Sequence, residues 1–194
     1  MKALSSVEVA SFLLIATTWG FCVGTIEGYL FLFLDDLGAS EVLLGLSLTF
    51  TCLAEVPVFH YMDRILRVLG ENVLVSLVSL AFMVRLSVYR MLGEQIHNLW
   101  LVLPVELLHG ITFGCAWAVG CLIMKREAPQ GLQSTFQGIY QGVYFGVAHG
   151  VGGLTGGILY EKHGPRSVFM AGQLVVLTGW VVFALMRSQA ACCR

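Results

Sequence analysis

Five ionisable side chains, Glu27, Glu55, Arg85, Glu106 and His109, interrupt stretches of chain that are otherwise long and apolar enough to cross a bilayer. Hydrocarbon disfavours such groups by several kcal/mol, so where they occur they tend to mark an ion path, a substrate path or a proton relay. Glu106 and His109 lie one helical turn apart, and Phe113 and Trp117 continue that face at intervals of four. Neighbours on one face can share a proton or a hydrogen bond. The alternative is a mutually satisfied polar pair that only locks two helices together. Arg85 must pair, face water or extend toward an interface. Glu27 and Glu55, the latter just before Pro57, are candidate partners between which the sequence does not choose. An inert ion pair joining three helices is the structural reading of the same residues. Glu-x-x-His also occurs in di-iron bundles, but there it recurs on two helices, whereas this chain carries it once. Neither a metal nor another cofactor is expected.

The elements that must carry these groups are membrane helices. The 194 residues are 57% hydrophobic and 12% charged, with a mean hydropathy of +0.82; a soluble domain holds roughly 25% charged residues. Eleven Lys and Arg balance twelve Asp and Glu without a basic cluster, which argues against nucleic acid as a partner. Cys22, Cys52, Cys115 and Cys121 fall inside apolar runs, where thiols act as small hydrophobes, and no C-x-x-C spacing appears. Cys192 and Cys193 follow the last run, where S-palmitoylation is possible and an unmodified tail is the simpler reading. The first apolar stretch, Val7 to about Leu34, is too long for a signal-peptide core and lacks an A-x-A-like cleavage site. It reads as a retained span.

Six segments supply the roughly 20 apolar residues a spanning helix needs: about Val9–Leu34, Val42–Tyr61, Asn72–Tyr89, Leu99–Met124, Thr135–Leu159 and Val168–Met186. The expected fold is an all-α membrane bundle in one domain, 1–194. Asp63-Arg64 after span two and Glu161-Lys162 after span five occupy matching points of two three-span units, 1–92 and 93–194. Such units on opposite faces are what a 3+3 inverted repeat gives. Lys2, Arg64, Arg67, Lys125, Arg126, Arg187 and Arg194 fall on the N-terminal side, against Arg90, Lys162 and Arg166 on the other. The positive-inside rule then places both termini in the cytoplasm.

Span five separates two faces. Gly138, Gly142, Gly146 and Gly150 form a stripe expected to admit another helix closely. Gln137, Gln141 and Tyr144 project from about the opposite side and are expected to line a cavity. His149 falls nearer the glycine side and is expected to make a helix contact or to lie at the membrane interface instead of touching substrate.

Several segments together resemble the major facilitator superfamily. They are Phe33-Leu34-Asp35-Asp36-Leu37-Gly38, Cys52-Leu53-Ala54-Glu55-Val56-Pro57, Leu103-Pro104-Val105-Glu106-Leu107-Leu108-His109-Gly110, and the run from Gly150 to Gly157 followed by Leu159-Tyr160-Glu161. The similarity is to the domain-containing protein 6 and lactose-permease-like branch, and it covers the carboxy-terminal six-span half of that fold. It implies that Glu55 stands at a sugar-contacting position, and Arg85 and His109 at charged proton-coupling positions. The chain departs from the permease pattern in two places: Thr112 replaces its proton-carrying glutamate, and Glu106 replaces a lysine. A half must meet another copy or a complementary six-helix half to enclose a path, since cavity charges otherwise face lipid.

The leading expectation is a secondary transporter half. It would take a small organic solute through Glu55, Trp117, Gln137, Gln141 and Tyr144, with proton coupling through Glu27, Arg85, Glu106 and His109. A non-transporting receptor or a modulatory half-transporter subunit is the second class. An enzyme is not expected, because neither H-E-x-x-H nor G-x-S-x-G occurs.

Overall fold

A computed structural model describes residues 7–192. Lys2, Cys193, Arg194 and the side chain of Cys192 lie outside the described residues, so neither the reading of the tail thiols nor those two charges is addressed by it. The described chain is all-helical, with only an isolated bridge between Leu92 and Ile96 in one turn. Helix α1 spans Val7–Asp36 and α2 spans Glu41–Met91. Helix α3 runs over Leu99–Glu127, α4 over 133–163, and α5 over Pro165–Cys192.

Four segments are long and apolar enough to cross a membrane: Val7–Asp36, Glu41–Met91, Leu99–Glu127 and Pro165–Gln189. This is an integral membrane protein, and its helices belong in a lipid bilayer. Helix α4, read from the sequence as a fifth span, is not among the four. Its glutamines, His149 and many glycines dilute its apolar character.

At 51 residues, α2 is far longer than one crossing needs, and Gly70 breaks it. Gly70 adopts φ 71° and ψ 164°, a region essentially closed to residues with a Cβ. The chain therefore turns there, and α2 consists of two arms, 41–69 and 71–91. Ser40 caps the first arm by accepting from the Leu43 amide at 3.3 Å.

Helix α1 is the hub. Lipid tails offer no hydrophobic drive for one helix to meet another, so close approach through small residues matters more than in water. Along α1, a Cβ on Gly20 would meet the Tyr144 carbonyl at 2.4 Å, and one on Gly24 the His149 carbonyl at 2.2 Å. A Cβ on Gly152 would in turn meet the Phe21 carbonyl at 2.3 Å, so α1 and α4 touch backbone to backbone. Gly179 on α5 gives room to the Thr18 side chain of α1.

These contacts correct the expectation for α4. Nothing lies within 4 Å of a Cβ placed on Gly138, Gly142, Gly146 or Gly150, so that stripe faces outward. The packing face is Phe136, Tyr140, Tyr144, Ala148, Gly152 and Gly156, all buried. It repeats every four residues like the glycine stripe, offset by two residues and hence on the far side of the helix. Periodicity alone could not rank the two faces. Tyr144 therefore packs inside the bundle instead of lining a cavity. His149 does make the helix contact expected of it.

Candidate site: a buried ionic network beside a cavity

The second arm of α2 places Arg85 and Tyr89 one turn apart, both buried against α3. From α3 come Glu106, His109 and Thr112. This stretch passes from a short α-turn at Val102–Glu106 into a π-helical turn at Gly110–Cys115. Such widened turns are often found at functional sites, because they change the direction in which neighbouring side chains point. The close fit of Gly110 against the Ala54 carbonyl draws the first arm of α2 alongside and brings Glu55 to His109.

Arg85 is the centre of the network. Its Nη2 donates to Glu106 Oε2 at 2.9 Å, its Nη1 to Thr112 Oγ1 at 2.7 Å, and its Nε to the Tyr89 hydroxyl at 2.9 Å. Tyr89 in turn donates to Glu106 Oε1. The acid on Arg85 is thus Glu106, and neither Glu55 nor Glu27. Both members of the pair are only 2% exposed, so each depends on the other and on these hydrogen bonds for its solvation.

His109 links this core to the first arm. Its Nδ1 lies 3.2 Å from Arg85 Nη1, and its Nε2 lies 3.0 Å from Glu55 Oε1. A guanidinium can only donate, so Nδ1 must accept, and Nε2 carries the hydrogen toward Glu55. The result is a continuous chain from Glu55 through His109 and Arg85 to Glu106 and Tyr89. His109 meets Glu55 and Arg85, whereas the sequence pointed to Glu106 as its neighbour. A turn at Leu107-Leu108 interrupts the helix between the two residues, and their side chains meet different partners.

All five residues that opened the sequence reading, Glu27, Glu55, Arg85, Glu106 and His109, line one cavity of about 320 Å³. Ile26, Leu30, Phe31 and Leu48 add an apolar wall, and Thr51 and Cys52 complete it. Such a mixture of apolar wall and a few convergent polar groups is typical of small-molecule sites. Glu27 also bonds His149 Nε2 at 3.1 Å, tying α1 to α4 at the rim.

The other expected solute contacts lie apart from this cavity. Trp117 stacks on Phe113, which stacks on His109, with near-parallel rings 6.2 and 5.3 Å apart. Phe145 meets Trp117 edge-on at 5.2 Å. Gln137 and Gln141 are half-buried on α4. The buried Tyr144 hydroxyl has no hydrogen-bond partner among the described residues. The aromatic ladder thus leads away from the ionic network along α3, with the glutamines on the neighbouring helix.

Sequence reasoning missed Tyr89 and gave Thr112 no partner. Tyr89 follows Arg85 by four residues and so lies on the same helical face, a signal that was available. Thr112 had none, because its role depends on a guanidinium arriving from another helix.

An arginine, carboxylates and an imidazole thus converge on one cavity inside a membrane bundle, where ionisable groups are rare and costly. Residues 1–171 match the family described as the MFS_1 like family, and the chain belongs to it, within the major facilitator superfamily. It is 23% identical over 164 residues to major facilitator superfamily domain-containing protein 6-like protein B of Xenopus laevis, covering 84% of this chain and 26% of the relative. To the human major facilitator superfamily domain-containing protein 6-like it is 30% identical over 146 residues, 71% of this chain and 24% of the relative. To the maltose permease of Geobacillus stearothermophilus it is 26% identical over 161 residues, 82% of this chain and 40% of the relative. The chain thus spans about a quarter of the length of the first two of these curated relatives. No solved structure matches.

Proposed function

We propose that this chain forms a six-helix, three-plus-three half of a proton-coupled secondary transporter for a small organic solute such as a sugar or a nucleoside. The observation that carries the reading is the continuous network from Glu55 to Glu106 along the wall of a 320 Å³ cavity. The two arms of α2, with α1, α3, α4 and α5, make the six crossings, and 1–92 and 93–194 are the two repeats. Ion pairs support this path. Arg126 reaches Glu8 and Glu71, and Arg187 reaches Glu8, gathering the start of α1, the Gly70 turn and the ends of α3 and α5 at one end of the bundle. Arg166 meets Glu94 at the opposite end. On the Lys/Arg count, the end that holds the termini is cytoplasmic.

Coupling follows from electrostatics. Arg85 and Glu106 are buried against each other, so helix motion that parts them leaves a buried charge without its partner and ties that motion to what occupies the cavity. His109 and Glu55 form the arm through which the solute senses that change, and Glu27 at the rim tunes the local charge. The solute meets Glu55 first, then the Trp117 ladder, Gln137 and Gln141. Tyr144 supports that ladder from within. The outward face of the first α2 arm and the α4 glycine stripe are covered by a complementary half or by a second copy of this chain.

The test is Glu106→Gln in proteoliposomes, loaded with radiolabelled maltose or uridine and subjected to a pH gradient. Gradient-driven uptake is expected to vanish while solute exchange without a gradient survives. Unchanged driven uptake would remove Glu106 from the mechanism. A chain that carries neither solute in either mode, alone or with a complementary half, would overturn the transporter reading.

A further inference from the structure

A second cavity lies apart from this site. It opens at the end of the bundle where α2 finishes and α5 begins, and its volume is about 640 Å³. Two arginines and a histidine project there from three elements: Arg90 from the end of α2, His163 from the end of α4, and Arg166 from the first turn of α5. Arg90 is exposed, and its hydrogen-bond partner is the neutral Gln173 amide at 2.9 Å; no carboxylate pairs with it among the described residues. Arg166 lies between Glu94 at 2.9 Å and the Leu92 carbonyl at 3.1 Å, with its guanidinium over the Phe33 ring. Its Nε is buried and makes no hydrogen bond.

We infer that this cavity is a binding site for a phosphate group, held between Arg90 and Arg166 with His163 at its edge. Three observations carry the inference. Guanidinium forks match phosphate oxygens in pairs, and here two of them share one concavity. The volume far exceeds that of a halide or a bare oxyanion, and Met91, Leu159 and Met170 offer apolar wall for whatever the phosphate is attached to. Finally, Glu94 already places an anionic oxygen on Arg166. Its side chain is 61% exposed, and a pair so open to water holds weakly, so an arriving phosphate can displace it. The phosphate is that of an anionic lipid headgroup at the membrane surface or of a soluble phosphate compound.

Both sources can be examined with the purified chain. Calorimetric titration with inorganic phosphate in uncharged detergent reads the soluble source. Native mass spectrometry from nanodiscs of phosphatidylglycerol, against nanodiscs of phosphatidylcholine alone, reads the lipid source. Saturable binding in either arm is expected to weaken roughly tenfold in Arg90→Gln, as for a lost charge-assisted contact, and to tighten in Glu94→Gln, which removes the competing carboxylate. Arg90 and Glu94 are both exposed, so neither change should unfold the bundle, and the opposite signs separate a site from a general loss of structure. Equal retention of phosphate and phosphatidylglycerol by the parent and Arg90→Gln chains would overturn the assignment. So would a Glu94→Gln chain that binds no more tightly than the parent.

Discussion

The most apolar 18-residue stretches of α1 and α2 are nearly equal in hydropathy, yet 67% of the first is buried inside the bundle and only 17% of the second. The same contrast divides α2 at Gly70. Arm 71–91 buries Leu74, Val75, Val78, Phe82, Arg85, Leu86 and Tyr89, whereas arm 41–69 buries Leu43, Ser47, Thr51 and Met62. Leu53 and Val56 are exposed on that first arm. In water, hydropathy separates inside from outside. In a bilayer both faces are apolar, so what distinguishes the packed face is small residues and polar groups with partners. The first arm touches the bundle mainly where Ala54 and Val58 meet Gly110 and Gly114, and where Glu55 meets His109. It is the part of the site most free to move or to receive a second surface.

Substitutions can break or sharpen this contrast. The largest effects are expected in the packed arm. Arg85→Leu leaves the Glu106 carboxylate buried without its cation and should destabilise the chain by about 3–5 kcal/mol in a detergent unfolding titration. Arg85→Leu combined with Glu106→Leu should recover much of that loss. If the double variant were as unstable as the single one, the pair would not be acting as a unit. Phe82→Ala, which empties a fully buried position, should lower stability by roughly 3–5 kcal/mol.

At the junction the effect should be intermediate. Gly70→Ala forces a Cβ into a backbone conformation that disfavours it and should cost about 1–3 kcal/mol. The alternative is a straightened α2 that parts Glu71 from Arg126. A spin-label distance between residues 62 and 78 distinguishes a strained turn from a straightened helix.

The smallest effects belong to the first arm. Glu55→Gln weakens a partly exposed hydrogen bond from His109 Nε2 and should change stability by roughly 0–1 kcal/mol, while reducing solute exchange if Glu55 contacts the solute. Leu53→Ala should leave the melting temperature of the isolated chain nearly unchanged. A Leu53→Ala loss as large as that of Phe82→Ala would show that the first arm is packed as tightly as the second.

Much of this protein was written in its residue types. The five ionisable groups could be picked out because charge in an apolar run is rare enough to mean something wherever the helices go, and they do line one cavity. A break between spans two and three was expected at the polar pair Asp63-Arg64, but the helix runs through that pair and turns at Gly70. The inward face of α4 was misread because glycine and aromatic residues repeat with the same four-residue period. Which of those faces meets α1 depends on the carbonyls of Tyr144 and His149 fitting against Gly20 and Gly24, a match between two helices.

The residues on their own therefore determined a helical membrane chain, most of its breaks, and the set of side chains too polar to lie idle in hydrocarbon. These follow from transfer energies and local backbone preferences, which belong to each segment separately. Only the tertiary structure decided that Arg85 takes Glu106 and Thr112, that His109 takes Glu55, and that Arg90 and Arg166 share a second cavity. Those choices turn on a few ångströms of helix register and on a π-helical turn in α3, and so arise between segments, where no single stretch of sequence carries the information.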